Sequence, residues 1–199
     1  MSRIPDHPKT HDFPVPTHLY TLVLGGIRSG KSRWAESAIG GSPGSCDTVR
    51  YIATGRVPDA DPDWEQRIAA HRRRRPPWWH TVETADVAAE LRADPGTPAL
   101  VDDLGGWLTA TLDHRGWTAE SVDADVDDLL TAVGAVAADL VLVSPEVGLT
   151  VVPETEVGRR FADELGTLNQ LLADCCDRVV LIVAGHPLWV KPAVLTVPG

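Results

Sequence analysis

The 199-residue chain has no apolar run long enough to cross a bilayer, which takes about 20 consecutive apolar residues, so no membrane insertion is expected. Positive charge is the scarcer sign: 18 Lys and Arg stand against 28 Asp and Glu, for a net charge of −10. The chain as a whole lacks the basic footprint of a nucleic-acid binder. Cysteine is scarce as well. Cys46, Cys175 and Cys176 make an odd count without metal-ligand spacing, so no structural zinc is expected and the pattern suits a reducing cytosol. The first seventeen residues hold four prolines and no apolar core of the kind a signal peptide needs. They are expected to form a disordered extension, leaving one domain over residues 18–199.

A phosphate-binding motif is present in full. Gly25-Gly26-Ile27-Arg28-Ser29-Gly30-Lys31-Ser32 satisfies G-x-x-x-x-G-K-[ST]. The apolar run from His18 to Leu24 before it suits a buried strand, and the stretch from Ser32 to Ile39 after it suits a helix that Gly40-Gly41 ends. Strand, glycine turn and helix aim backbone N–H groups and a helix N-terminus at a phosphate. Gly25 and Gly30 let the backbone curl, Lys31 can reach the β- and γ-phosphates, and the Ser32 hydroxyl can ligate Mg²⁺.

Strands and helices then alternate. Strands are expected at Thr48–Thr54, His80–Glu83, Ala99–Asp102, Asp139–Ser144 and Arg178–Val183. Helices are expected at 62–74, 85–92, 107–112, 122–137 and 155–175. Such alternation argues for a mostly parallel sheet covered on both faces, in which ligands sit beyond the carboxyl ends of the strands. The polar residues at those ends are Thr54, Asp102 and Glu146. An acid closing Ala99–Val101 is the expected Mg²⁺-side partner of a phosphate loop. Asp102 and Asp103 are adjacent, and alternation lets only one of them face the metal.

A second informative segment is Glu65-Gln66-Arg67-Ile68-Ala69-Ala70-His71-Arg72-Arg73-Arg74-Arg75-Pro76, with four consecutive arginines in an acidic protein. Three readings fit it: a solvated helix end whose cations oppose the C-terminal dipole, a nucleic-acid contact with Trp78 and Trp79 as stacking surfaces, or a polyphosphate site with His71 as nucleophile. Of the seven tryptophans, Trp34 and Trp107 are expected in the core.

The phosphate loop, Tyr51-Ile52-Ala53-Thr54, Arg67-Ile68-x-x-His71-x-x-x-Arg75-Pro76 and Val151-Val152-Pro153-Glu154 occur here in order. They are followed by Gly158-Arg159-Arg160-Phe161-x-Asp163-x-x-Gly166-x-x-Asn169-Gln170 and Val183-Ala184-Gly185-x-Pro187-Leu188. Together they resemble the bifunctional adenosylcobinamide kinase / adenosylcobinamide-phosphate guanylyltransferase family of cobalamin assembly, over nearly all of the chain from Leu19 to Lys191. The resemblance implies an α/β P-loop NTPase fold with a RecA-like, mostly parallel central sheet flanked by helices. It implies a cytoplasmic enzyme that phosphorylates the aminopropanol hydroxyl of adenosylcobinamide with ATP or GTP, with Mg²⁺. The same enzyme would then transfer GMP from GTP, through a guanylyl-histidine, to adenosylcobinamide phosphate.

By the same resemblance His71 matches the guanylylated position and Lys31 the kinase lysine. Gly25, Gly26, Ile27, Arg28, Ser29, Gly30, Lys31, Ser32, Ala53, Thr54, Gly55, Arg72, Arg73, Arg74, Arg75, Glu83 and Asp102 match nucleotide-contacting positions. Ser32 and Asp102 fall on the metal side. A homotrimer is implied too. The chain departs from the family pattern after Asp102, where Asp103-Leu104-Gly105-Gly106 replaces a small residue and threonines, and Ala110 a later asparagine. Pro145 and Thr155 also stand where asparagines are usual. A kinase without guanylyl transfer and a nucleotide-binding regulatory module are the alternatives, and covalent labelling by GTP separates them from the bifunctional reading.

Overall fold

The first strand, β1 (Tyr20–Gly25), lies inside the sheet, and four of its six residues are buried. In the structure, a computed structural model that describes residues 18–40, 48–55, 75–117 and 120–192, β1 pairs in parallel with β5 (Leu140–Pro145) on one side and β6 (Arg178–Val183) on the other. Two aspartates fasten its start. Asp139 accepts from the Leu19 amide at 2.9 Å and Asp177 from the Tyr20 amide at 2.8 Å, so the turns leading into β5 and β6 set the register of all three strands. Beyond β5 lie β4 (Ala99–Asp102), β2 (Arg50–Ala53) and β3 (His80–Glu83), and beyond β6 lies β7 (His186–Lys191). The seven-stranded order is β3-β2-β4-β5-β1-β6-β7, parallel except for β7.

Alternate residues of β1, β2, β4, β5 and β6 feed two cores. Leu22, Ile52, Val101, Leu140, Leu142 and Val179 face one cluster; Val23, Tyr51, Leu100, Val141, Val143 and Val180 face the other. The second face carries α1 (Lys31–Gly40), which packs through Ala35 and Ile39. The first carries α2 (Val87–Ala93), α3 (Leu104–Arg115), α4 (Asp123–Gly134) and α5 (Glu156–Cys175). Buried Leu165, Leu168, Asn169 and Leu172 recur at helical spacing on α5, giving it one apolar stripe. Helix starts follow side-chain caps: Asp86 accepts from Ala89 N at 3.0 Å, Asp103 from Gly106 N at 2.9 Å and Thr155 from Gly158 N at 3.1 Å.

Several expected boundaries shift. Helix α3 begins three residues before Trp107, because Asp103 caps it and tertiary packing holds Gly105-Gly106 helical against their low propensity. Helix α4 stops at Gly134 and does not reach residue 137; Ala135 N donates to Ala132 O and Val136 N to Val133 O, both at 3.2 Å, and these bonds close the end. Trp107 is buried as expected, but Trp34 is only half-buried, with its ring edge-on to Trp189 at 5.8 Å. Strand β7 has no counterpart among the expected elements. All six of its residues are exposed, and Pro187 within it demotes a strand reading except at a sheet edge, where β7 lies. The expected extension over residues 1–17 and the expected helix over 62–74 lie outside the described residues.

Candidate functional site: a phosphate loop facing an acidic strand end

Gly25 to Ser32 form the turn between β1 and α1. Ser29 N donates to Gly26 O at 3.2 Å and Trp34 N to Gly30 O at 3.0 Å, so the loop winds directly into the first turn of the helix. A Cβ on Gly25 would lie 2.4 Å from Ser29 Oγ and 3.0 Å from Ile182 O, which no side chain tolerates. Ile27 is 93% exposed, which leaves the crown of the loop open to a ligand. Ser29 Oγ is buried without a hydrogen-bond partner among the described residues, a donor suited to a phosphate oxygen.

Strand β4 delivers the acid. Asp102 Oδ1 accepts from Ser32 Oγ at 3.2 Å, and Oδ2 accepts from Tyr51 Oη at 2.5 Å. Asp103 turns away to cap α3; burial first, then the neighbouring Asp102 carboxylate, raises its pKa above the usual carboxylate range. The one-residue ambiguity of the sequence therefore ends with Asp102 facing the phosphate loop. A hydroxyl and a carboxylate oxygen side by side are hard donors of the kind Mg²⁺ takes, and the described residues hold no group of three or more His, Cys, Asp or Glu side chains that would cage an ion. That donor set fits Mg²⁺, which completes its shell with water and phosphate oxygens.

Register extends the site sideways. Ala53 lies opposite Asp102 on β4 and opposite Glu83 on β3, so Glu83, Ala53 and Asp102 form a row along the carboxyl edge of the sheet, spanning about 10 Å at the usual strand spacing. Thr54 and Gly55 follow Ala53; the Thr54 hydroxyl donates to Asp103 O, and Gly106 packs against both residues. Glu83 lines an open concavity of about 590 Å³ with Arg75, Pro76, Pro77, Trp79 and Thr81. The Arg75 guanidinium carbon sits 3.3 Å from the centroid of the Tyr51 ring, and Arg75 Nη1 donates to Thr81 Oγ1 at 3.1 Å. His71, Arg72, Arg73 and Arg74 lie outside the described residues.

The end of β5 borders the loop from the other side. Glu146 N donates to Gly25 O at 3.1 Å, while Glu146 Oε1 turns back onto Gly148 N at 2.6 Å. Asn169, 7% exposed on α5, donates to Pro145 O at 3.1 Å and holds that strand end. Sequence reasoning did not single out Tyr51, Asn169 or the Ala184-Gly185 turn as parts of this neighbourhood. The available signal was their place inside recognisable motifs, since neither burial nor a cross-strand partner is visible along the chain.

The family described as cobinamide kinase / cobinamide phosphate guanyltransferase matches residues 21–190. The chain is 43% identical over 173 residues to the bifunctional adenosylcobalamin biosynthesis protein CobP of Pseudomonas aeruginosa, covering 85% of this chain and 96% of that one. It is 37% identical over 184 residues to the CobU protein of Escherichia coli, covering 85% and 98%. Among solved structures, an ATPase of a bacterial type III secretion system superposes with a TM-score of 0.52 at 12% identity, over 82% of this chain and 50% of that one. The likeness is one of fold: a P-loop ATPase core of RecA-like type, of which this chain spans about half the length of the matched ATPase.

Proposed function

The chain belongs to the cobinamide kinase / cobinamide phosphate guanyltransferase family, and we propose that one domain over residues 18–199 carries both of its reactions at the carboxyl edge of the sheet. It is a bifunctional transferase of adenosylcobalamin biosynthesis: a kinase for cobinamide and a guanylyltransferase for the cobinamide phosphate so formed. The observation that carries the site assignment is the 3.2 Å approach of Ser32 Oγ to Asp102 Oδ1 beside an open phosphate loop.

In the kinase step the amides of Gly25 to Ser32 and the Lys31 ammonium hold the phosphates of ATP or GTP and neutralise charge on the transferred group. Ser32 and Asp102 would hold Mg²⁺, which would offset the negative charge of the phosphates. The acceptor is the aminopropanol hydroxyl of adenosylcobinamide, whose oxygen attacks the γ-phosphorus in line and releases the nucleoside diphosphate. In the second step a neutral ring nitrogen of His71 attacks the α-phosphorus of GTP; an N–P bond forms, a P–O bond breaks and pyrophosphate leaves. A phosphate oxygen of adenosylcobinamide phosphate then displaces His71, giving adenosyl-GDP-cobinamide. Arg72 to Arg75 neutralise the pyrophosphate, and Ala53, Thr54, Gly55 and Glu83 line the nucleotide. Glu83 and Arg75 sharing one concavity supports this grouping.

The same reading takes the protein as cytoplasmic, with nucleoside triphosphates as donors, and as a homotrimer. Leu188, Trp189 and Val190, exposed on edge strand β7, give a second copy an apolar surface to cover. The deciding experiment uses GTP labelled at the α-phosphate. Acid-labile, alkali-stable label on the wild-type chain and none on His71→Ala is the expected result. A chain that phosphorylates cobinamide yet takes up no label would be a kinase alone.

A further inference from the structure

Tyr51 is 2% exposed, lies on β2 one strand away from Asp102, and carries contacts to both halves of the site. Its hydroxyl donates to Asp102 Oδ2 at 2.5 Å, while the other oxygen of that carboxylate meets Ser32 Oγ at 3.2 Å. The two oxygens are thus divided between one orienting donor and one phosphate-loop hydroxyl. The Tyr51 ring carries the Arg75 guanidinium at 3.3 Å, and Trp79 stacks on it at 6.5 Å with 29° between planes. A phenol carries its proton at neutral pH and a carboxylate does not, so the hydroxyl is the donor of this bond.

We propose that Tyr51 is a positioning residue for both reactions: its hydroxyl fixes the Asp102 carboxylate so that Oδ1 faces Ser32, and its ring seats Arg75 at the concavity that Arg75 shares with Glu83. One buried side chain thereby links the magnesium side of the phosphate loop to the Arg75 guanidinium. The inference rests on the reading of Ser32 and Asp102 as the magnesium side. A phenylalanine here keeps the ring and its cation–π contact but leaves Oδ2 without its donor, and the carboxylate is then free to rotate about Cβ–Cγ. Loss of such an outer partner typically lowers metal affinity 10- to 100-fold.

The test is an equilibrium binding measurement on the full chain without cobinamide, so that no turnover occurs. Fluorescent N-methylanthraniloyl-ATP is held at fixed concentration and Mg²⁺ is titrated. Tyr51→Phe is expected to raise the half-saturating Mg²⁺ about tenfold or more, with binding in EDTA unchanged. In an Asp102→Asn background the same substitution is expected to add no shift, because the carboxylate it orients is gone. Tyr51→Leu, compared at a temperature where its melt shows it folded, also releases Arg75 and is expected to weaken binding in EDTA, which Tyr51→Phe does not. An unchanged Mg²⁺ midpoint in Tyr51→Phe overturns the proposal, and so does an equal shift in both backgrounds. Equal EDTA binding by the Leu and Phe variants overturns the seating of Arg75. A wild-type chain that binds no nucleotide overturns the phosphate-loop reading with it, whereas Mg²⁺-dependent binding that is insensitive to Tyr51 overturns this inference alone.

Discussion

The Gly185 amide donates to the Ser29 carbonyl at 2.8 Å, so the turn of the β6–β7 hairpin is bonded to the phosphate loop. Ala184 and Gly185 both have positive φ, 50° and 83°, the arrangement of a tight hairpin turn. A Cβ on Gly185 would meet no atom within 4 Å, so replacement by alanine acts through backbone conformation alone. Gly185→Ala should cost about 1–2 kcal/mol and loosen the loop. Thermal melting reads the first effect, and a several-fold weaker affinity for a fluorescent ATP analogue reads the second. Unchanged affinity would mean that the turn does not brace the loop.

Gly105 and Pro145, forty residues apart in sequence, meet where α3 begins and β5 ends. A Cβ on Gly105 would lie 2.8 Å from Pro145 Cγ and 3.2 Å from Cδ. Gly105→Ala alone should therefore destabilise by about 1–3 kcal/mol. Combined with Pro145→Ala, which removes the opposing ring, the penalty should largely vanish. Urea denaturation of the four proteins in the cycle measures the coupling, and simple additivity would contradict it.

Arg50 is 5% exposed and ties β2 to α2. Its guanidinium donates to Glu90 O at 2.6 Å, Glu90 Oε1 at 3.2 Å and Asp94 O at 2.5 Å. Arg50→Met fills much of the volume but leaves two carbonyls and a half-buried carboxylate unpaired. The expected loss is about 3 kcal/mol, or roughly 6–12 °C in melting temperature for a chain of this size. Calorimetry checks it. Because Tyr51 is the next residue on the strand, a milder fall in nucleotide affinity should accompany the change.

Cys176 is buried at the end of α5, and burial, then Cys175 and Asp177, push its thiol up to about 12. The folded-state value lies above the unfolded one near 9. The stability linked to this proton is therefore complete below pH 9 and is lost as pH rises toward about 12. Cys176→Ala should flatten the alkaline decline seen in urea melts between roughly pH 9 and 11. At pH 8 iodoacetamide should modify exposed Cys175 and spare Cys176 in the folded chain, as peptide mass spectrometry would show.

The parts of this protein that depend on neighbours along the chain were legible in the order of its residues. The phosphate loop is one contiguous motif, and strand β1 before it and helix α1 after it follow from apolar patterning. The parallel α/β character follows from strands and helices alternating at regular spacing, and the acid at the end of Ala99–Asp102 from its place after a buried run. Which of two adjacent aspartates faces Ser32 emerged with the folded chain, because that choice is made by the cap Asp103 supplies to α3 and by the Tyr51 hydroxyl fifty-one residues away. The fold also dictated that β5 lies between β1 and β4, that Arg75 rests on Tyr51, and that an exposed strand containing Pro187 completes the sheet edge. Those features are set by pairing and packing between distant segments, whose free energy is written in no local pattern of residues.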